Sequence, residues 1–165
     1  MPTPLYYDIE TSGKGIKNNG PKAFIAPLQF GAITYDPSGN QIERVNWRGR
    51  PPRQILPEPG ALVVTGQSIG AVMSAQYSQY ELVSKIHKFF EEKAPASIVA
   101  FNGIKYDEEV LRFAQYQNLY NPYQSQLHGN TRLDVMKAAH AAVAFDHSSL
   151  PLHRTQKGKV PFKLE

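Results

Sequence analysis

The order of apolar and polar positions along the 165-residue chain separates an extended first half from a helical second half. Residues 5–10 and 28–35 are short runs rich in apolar, β-branched and aromatic side chains, which favour strands. The turn sequence Asp-Pro-Ser-Gly-Asn at residues 36–40 follows the second run, and residues 41–48 then alternate imperfectly. This pattern predicts a third strand that pairs back on the second.

The spacing of apolar residues changes after a proline-rich stretch at residues 51–59, which indicates an irregular loop. Ser78 and Glu81 have the spacing of a capping box, and the apolar positions after them predict an amphipathic helix over residues 79–93. A short apolar run at residues 97–101 predicts a further strand. The second half therefore alternates between helix and strand.

Two more helices are predicted after that strand. One begins near Asp107, where acidic side chains are favoured by the helix dipole, and an alanine-rich segment predicts another over about residues 134–144. We expect a loop for residues 146–165. Three strands followed by alternating helices and strands predict an α/β fold, with a mixed sheet that is largely antiparallel in its first three strands and is flanked by helices. No repeat or linker composition divides the chain, so a single domain over residues 1–165 is expected.

Composition excludes several classes of protein and of site. The chain has no cysteine, which excludes disulfides, thiolate zinc sites, iron–sulfur clusters and a cysteine nucleophile. No apolar run approaches the roughly 20 residues of a membrane helix, and no signal-peptide pattern is present, so we expect a cytoplasmic protein without a membrane partner. The net charge of +4 permits a polyanionic partner without requiring one.

Asp8 and Glu10 are the first candidate functional residues. They lie two positions apart at the end of the first predicted strand, so both side chains should project from the same face of the sheet. Two carboxylates held this close repel each other unless a cation lies between them, and magnesium and manganese prefer oxygen ligands of this kind. Two solvated acids at the end of a surface strand are the alternative for this pair considered alone.

A second acidic position follows the predicted strand at residues 97–101. If that strand is a neighbour of the first strand, Asp107 approaches the two carboxylates there. Three carboxylates could then hold two divalent ions about 4 Å apart, an arrangement that hydrolyses phosphodiesters. The alternative for Asp107 is a helix N-terminal acid, and we interpret Glu108 and Glu109 as acids of that kind.

Several stretches of the chain, in the same order, resemble the ribonuclease H-like 3′–5′ exonucleases that have an Asp-Glu-Asp-Asp metal set. Within that family the chain is most similar to the bacterial exodeoxyribonucleases I. The stretches span nearly the whole chain and are residues 8–11, 28–33, 56–66, 102–110, 120–123 and 132–136. The resemblance implies an enzyme that hydrolyses single-stranded DNA from its 3′ end with two Mg²⁺ or Mn²⁺ ions, and it implies that Asp8, Glu10 and Asp107 are the catalytic metal ligands.

The resemblance also implies where nucleic acid binds, because residues 61–66 would form a loop against the 3′-terminal nucleotide. The residues that it assigns to nucleic-acid contacts are Thr11, Ala61, Thr65, Gly66, Asn102 and Tyr106. Aromatic side chains near Asp107 and basic side chains in two groups, residues 14–22 and 44–53, are types that bind single strands, with core packing and a solvated surface as the alternatives. Single-stranded DNA is the expected partner, and single-stranded DNA-binding protein is a further partner that the family implies.

The third motif of this family, a histidine followed five positions later by aspartate, does not occur at any of the five histidines. That histidine would be the general base, and the aspartate would complete the metal site. The final residues, 162–165, resemble the stretch that leads to this motif, so we expect a domain that is incomplete at its C-terminus and impaired in hydrolysis. An inactive module that binds single-stranded nucleic acid is the alternative function. Asp134 matches a helix start of the family and is interpreted as a cap or as a residue that supports a ligand.

Overall fold

The computed structural model describes residues 2–13 and 25–145. In these residues five strands form one sheet, in the order β3-β2-β1-β4-β5. The strands are β1 (Thr3–Thr11), β2 (Pro27–Tyr35), β3 (Gln41–Arg48), β4 (Ala96–Ala100) and β5 (Thr131–Asp134). The α-helices are α1 (Pro59–Thr65), α2 (Ile69–Met73), α3 (Gln79–Lys93), α4 (Asp107–Gln117) and α5 (Val135–Phe145). None of the helices in the described part of the chain has both the length and the apolar character needed to span a membrane.

The first three strands form an antiparallel meander, as the sequence predicts. The side chain of Asp36 closes the turn between β2 and β3, because it accepts hydrogen bonds from the backbone N–H groups of Ser38 and Asn40. Gly39 has a φ of 86° in this turn, a conformation that glycine adopts without strain. β1 pairs in parallel with β4, and β4 pairs in parallel with β5, so the prediction of a mixed sheet is confirmed.

The two faces of β1 differ in burial. Leu5, Tyr7 and Ile9 are buried against the hydrophobic core, whereas Asp8 and Glu10 alternate with them and lie on the other face. This alternation is the consequence of the two-residue period of a strand. The sequence prediction that the two acids share a face is therefore confirmed.

Aromatic rings fill the space between the meander and α3. Phe30 has none of its surface exposed and stacks on Tyr7 and Trp47. Phe89 and Phe90, from α3, meet Phe30 with their ring planes nearly perpendicular to it. This geometry is favourable for aromatic pairs and adds to the free energy gained by burial.

Among the described residues, the elements that the sequence does not predict are α1, α2, β5 and a short 3₁₀ helix at Gln124–Gln126. α1 replaces the loop expected over residues 61–66; it begins at Pro59 and ends before Gly66, which has a φ of 65°. α1 is short and its two valines are exposed, so neither helix propensity nor apolar spacing reveals it. The segment 146–165, expected to be a loop, lies outside the described residues.

Candidate active site

The carboxyl ends of the parallel strands β1, β4 and β5 lie at the same edge of the sheet, which we call the carboxylate edge. β1 continues beyond its last pair with β4, so Asp8 and Glu10 lie beside the loop that leaves β4, residues 101–106. Asp107 follows this loop as the first residue of α4. The strand neighbours on which the sequence prediction depended are present, and ligands of open α/β sheets bind at this end of the strands.

The acids at the carboxylate edge act on one another electrostatically. Burial, together with the charges of Asp8, Glu10 and Asp134, raises the pKa of Asp107 to about 7. Burial raises the pKa of Asp8, and burial together with the charge of Asp8 raises the pKa of Glu10. Among the described residues, no lysine or arginine forms an ion pair with any of these three carboxylates. Acids that raise one another's pKa without a cationic side chain favour the binding of a cation.

The donor atoms at this edge suit a hard divalent cation, but they are not grouped as a ready-made coordination sphere. Carboxylate oxygens are the ligands that Mg²⁺ and Mn²⁺ prefer. Within residues 2–13 and 25–145, no group of three or more acidic or histidine side chains is arranged so that it could hold a metal ion. The assignment of Asp8, Glu10 and Asp107 as ligands therefore stays a prediction, supported by their shared edge and by their pKa shifts.

Glu108 lies in the first turn of α4, as the sequence predicts, but it also has a structural role that the sequence does not predict. Glu108 is buried, and its Oε1 accepts hydrogen bonds from Arg112, Gln126 and Arg132. The contact with Arg132 Nη1, at 2.7 Å, joins α4 to β5. Glu108 therefore fixes the helix that carries Asp107 to the sheet.

A cavity of about 410 Å³ opens beside Glu10 at the end of β1. Four of the predicted nucleic-acid-binding residues line it, namely Thr11, Ala61, Thr65 and Tyr106. Val64 also lines the cavity; it lies within residues 61–66, which the resemblance places against the 3′-terminal nucleotide, but it is not among the individual contact residues predicted from the sequence. The cavity combines apolar walls with one carboxylate at its rim, as ligand sites commonly do.

Hydrogen bonds fix the tyrosine ring in this cavity. The hydroxyl of Tyr106 donates to the carbonyl oxygen of Gly13 at 2.6 Å and lies 2.9 Å from Oγ1 of Thr11. Thr11 is buried, and its own hydroxyl donates to the same carbonyl at 2.7 Å. Thr11 therefore positions Tyr106, and its hydroxyl is already engaged within the protein. A Cβ at Gly13 would lie 2.9 Å from Oε1 of Glu58, so a side chain there would require the end of the Glu58 side chain to move.

The other two predicted nucleic-acid-binding residues, Gly66 and Asn102, are not among the residues that line the cavity. Asn102 lies in the loop after β4, where its backbone N–H donates to Oδ1 of Asp134 at 3.0 Å. The same oxygen accepts the N–H groups of Met136 and Lys137 at the start of α5. The interpretation of Asp134 as a helix cap is therefore confirmed.

The remaining candidates for nucleic-acid contact are dispersed over the described surface. Tyr120 packs against Tyr80 and His87, and Arg50 donates to the carbonyl oxygen of Ala75, so both have contacts within the fold. Arg44 shares a cavity of about 370 Å³ with Asp8 on the open face of the sheet. The lysines predicted at positions 14, 17 and 22 lie outside the described residues.

Comparison with known proteins identifies relatives over nearly the whole chain, although no family model matches it. The chain is 30% identical over 165 residues to exodeoxyribonuclease I of Escherichia coli (strain K12), covering 99% of the chain and 33% of that protein. Its identity to exodeoxyribonuclease I of Haemophilus influenzae is 28% over 161 residues, covering 96% of the chain and 33% of that protein. The chain thus spans about a third of the length of the curated relatives that it matches.

Solved structures of exonuclease I show the same fold. The crystal structure of E. coli exonuclease I in complex with a dT13 oligonucleotide matches with a TM-score of 0.86 and 28% identity, covering 99% of this chain and 34% of that one. An ExoI/SSB-Ct complex matches with the same TM-score over 98% of this chain and 34% of that one. The mixed five-stranded sheet and its flanking helices are those of the ribonuclease H-like class. By sequence and by fold, the chain is related to the exodeoxyribonucleases I.

Proposed function

We propose that this chain is the nuclease part of a 3′–5′ exonuclease that hydrolyses single-stranded DNA. The observation that carries the proposal is that Asp8, Glu10 and Asp107 lie at one edge of the sheet, where the charge of Asp8 raises the pKa of Glu10 and the charges of Asp8 and Glu10 raise the pKa of Asp107. Relatives named exodeoxyribonuclease I, and a structure of exonuclease I with a dT13 oligonucleotide, support the activity and the substrate.

The three acids would act together as ligands of the cations, which in turn would bind the reacting phosphodiester. Asp8 and Glu10 present carboxylate oxygens from one face of β1, and Asp107 presents its carboxylate from the start of α4. Mg²⁺ or Mn²⁺ bound by these oxygens would supply the Lewis acid that activates water and stabilises the leaving oxygen. Because the 165 residues contain no histidine with an aspartate five positions later, we propose that hydrolysis by this chain is slow.

The cavity beside Glu10 is the proposed site of the 3′-terminal nucleotide. Ala61 and Val64 offer apolar surface to the sugar or the base, and the ring of Tyr106 is held rigidly beside them. Stacking of a base on an aromatic ring contributes about 1–3 kcal/mol to the binding of single strands. The terminal nucleotide would then place its phosphate near the carboxylate edge.

The activity is tested with a single-stranded oligonucleotide labelled at its 5′ end, incubated with Mn²⁺ and the chain of residues 1–165. We expect slow shortening from the 3′ end, and we expect Glu10→Gln to abolish it. Glu92→Gln is the matched control, because it makes the same change at an exposed acid of α3. Shortening by Glu10→Gln at the rate of the unmodified chain would contradict the proposed role of Glu10.

A module that binds single-stranded nucleic acid without cleaving it is the second candidate function. It is favoured because the described residues contain no ready-made group of three metal ligands. Fluorescence anisotropy with a labelled oligonucleotide measures binding, and the same mixture with Mn²⁺ is then examined for products. Binding without any product identifies the inactive module, whereas products that Glu10→Gln does not form exclude it.

A partner and a location complete the proposal. Single-stranded DNA-binding protein is proposed as a partner because a solved ExoI/SSB-Ct complex has this fold. Titration of the chain with a labelled peptide of the SSB C-terminus tests this partner, with a peptide of scrambled sequence as the control. The cytoplasmic location expected from the sequence stays a prediction.

A further inference from the structure

We propose that Asp134 is a positioning residue, which holds the loop that delivers Asp107 to the carboxylate edge. Asp134 is the last residue of β5, pairs with Ala100 at the end of β4, and has 3% of its surface exposed. The inference rests on the proposed function in one respect, namely that Asp107 contributes to cation binding.

A single oxygen of Asp134 joins two elements. Its Oδ1 accepts the N–H of Asn102 at 3.0 Å, in the loop after β4, and the N–H of Met136 at 3.1 Å, in α5. Its Oδ2 is buried and has no hydrogen-bond partner among the described residues. Capping a helix requires only a small polar side chain, whereas a buried carboxylate with an unpaired oxygen costs free energy. The additional contact with Asn102 gives the carboxylate a second role.

The loop that Asp134 holds is tightly folded against the end of β4. Asn102 has a φ of 56°, in the left-handed region that asparagine adopts more readily than most residues other than glycine. A Cβ on Gly103 would lie 2.3 Å from Cβ of Ala100 and 3.2 Å from Oδ2 of Asp107. The backbone at residue 103 therefore lies directly against the Asp107 carboxylate, and a displacement of Asn102 would be transmitted to Asp107.

Asp134→Ala is compared with Ser78→Ala, which removes the side-chain cap of α3 and serves as the matched control for the loss of a helix cap. In the chain of residues 1–165, we expect Asp134→Ala to accelerate hydrogen exchange of the Asn102 amide and to shift its NMR signal. We expect its affinity for Mn²⁺, measured by calorimetry, to fall about tenfold or more, the usual effect of removing a residue that orients a ligand. Ser78→Ala should change neither quantity.

Two further variants separate the loop contact from the cap. Asp134→Ser keeps an oxygen that caps α5 but is too short to reach Asn102, so it should lose Mn²⁺ affinity while folding normally. Asp134→Asn keeps an acceptor at the position of Oδ1, so it should restore the Asn102 signal and most of the Mn²⁺ affinity. Equal losses in Asp134→Asn and Asp134→Ala would overturn a role through hydrogen bonding.

The inference is overturned if Asp134→Ser and Asp134→Ala both bind Mn²⁺ within twofold of the unmodified chain and keep the Asn102 amide protected. If the unmodified chain itself does not bind Mn²⁺, the proposed function fails. The hydrogen exchange of Asn102 still decides in that case whether Asp134 holds the loop, so the two failures are distinguishable.

Discussion

The aromatic core and the carboxylate edge lie on the same sheet and contain opposite kinds of buried side chain. In the core, Phe30 and its neighbours are apolar, and their burial lowers the free energy of the folded state. At the carboxylate edge the buried residues are Asp107, Glu108 and Asp134, whose burial costs free energy unless partners are present. Burial in the core therefore stabilises the fold, whereas a buried acid of the edge stabilises it only where the acid has partners, as Glu108 has in Arg112 and Arg132. Substitution of a buried edge acid that lacks a cationic partner, such as Asp107, should consequently change stability in the opposite direction from a substitution in the core.

The largest expected effect is in the core. Phe30→Ala should lower the free energy of unfolding by about 3–5 kcal/mol, because it removes a fully buried ring that contacts four other aromatic side chains. Urea denaturation measures the loss. Phe113→Ala, on the exposed side of α4, is the control and should cost less than 1 kcal/mol. Equal losses for both variants would contradict the division between core and surface.

The next largest effect is expected at Glu108, whose substitution tests whether its buried charge stabilises the fold. Glu108→Ala should lower the free energy of unfolding by about 3 kcal/mol, because it leaves Arg112 and Arg132 without their carboxylate partner. Glu92→Ala, which removes an exposed ion pair with Lys88, should cost about 0.5 kcal/mol or less. A loss below 1 kcal/mol for Glu108→Ala would show that the buried ion pairs do not hold α4 to β5.

Substitution of Asp107 should raise the free energy of unfolding, whereas substitution of Glu108 should lower it. The pKa of about 7 in the folded chain exceeds the usual value of 3.8, so the folded state binds more protons between these pH values, and stability falls as pH rises through them. Asp107→Asn removes this dependence and should stabilise the metal-free chain by about 2 kcal/mol at pH 8, with little effect at pH 4. Denaturation in EDTA at both pH values measures the difference. A lower free energy of unfolding for Asp107→Asn at pH 8 would contradict the interpretation that the charge of Asp107 destabilises the metal-free chain.

Cation binding should depend on pH because Asp107 must release its proton first. Below the pKa of about 7, the affinity for Mn²⁺ should rise by up to about tenfold per pH unit, and it should level off above that pKa. Calorimetry in buffers of different ionisation enthalpy measures the released protons, with about one expected at pH 6 and none at pH 8.5. A constant affinity from pH 5 to pH 8 would remove Asp107 from the ligand set.

The smallest effect on stability is expected at the cavity beside Glu10. Val64 is exposed on α1, so Val64→Ala should change the free energy of unfolding by about 0.5 kcal/mol or less. Because Val64 lines the cavity, the same change should weaken oligonucleotide binding severalfold in an anisotropy titration. Val63→Ala, at an exposed valine that is not among the cavity-lining residues, is the matched control. Equal affinities of the two variants would place the terminal nucleotide elsewhere.

The elements that the sequence predicts are those in which many residues repeat one pattern. The period of two in residues 41–48 and the helical period in residues 79–93 are each imposed by a single packed face. β5 has four residues, of which three are exposed, and too few of them are buried to repeat a pattern. Short elements of this kind form because of tertiary contacts, which cannot be predicted from the local sequence.

In the candidate site, too, some features follow from the local sequence and others depend on tertiary contacts. The shared face of Asp8 and Glu10 follows from strand geometry, so the sequence alone predicts it. The role of Glu108 depends on Arg132, and the role of Asp134 depends on Asn102, and both pairs connect different elements of the fold. Such pairs become visible only when the order of the strands is known.

The parallel pairing of β1 with β4 joins Thr3 to Ala96, which are separated by more than half of the described chain. Bringing such distant segments together costs conformational entropy, so this pairing should form after the local meander of β1, β2 and β3. Asp8 and Asp107 are thus kept apart in partly folded molecules, which would have strands but no assembled site. Folding order itself would then restrict the assembled carboxylate edge to molecules whose sheet is complete.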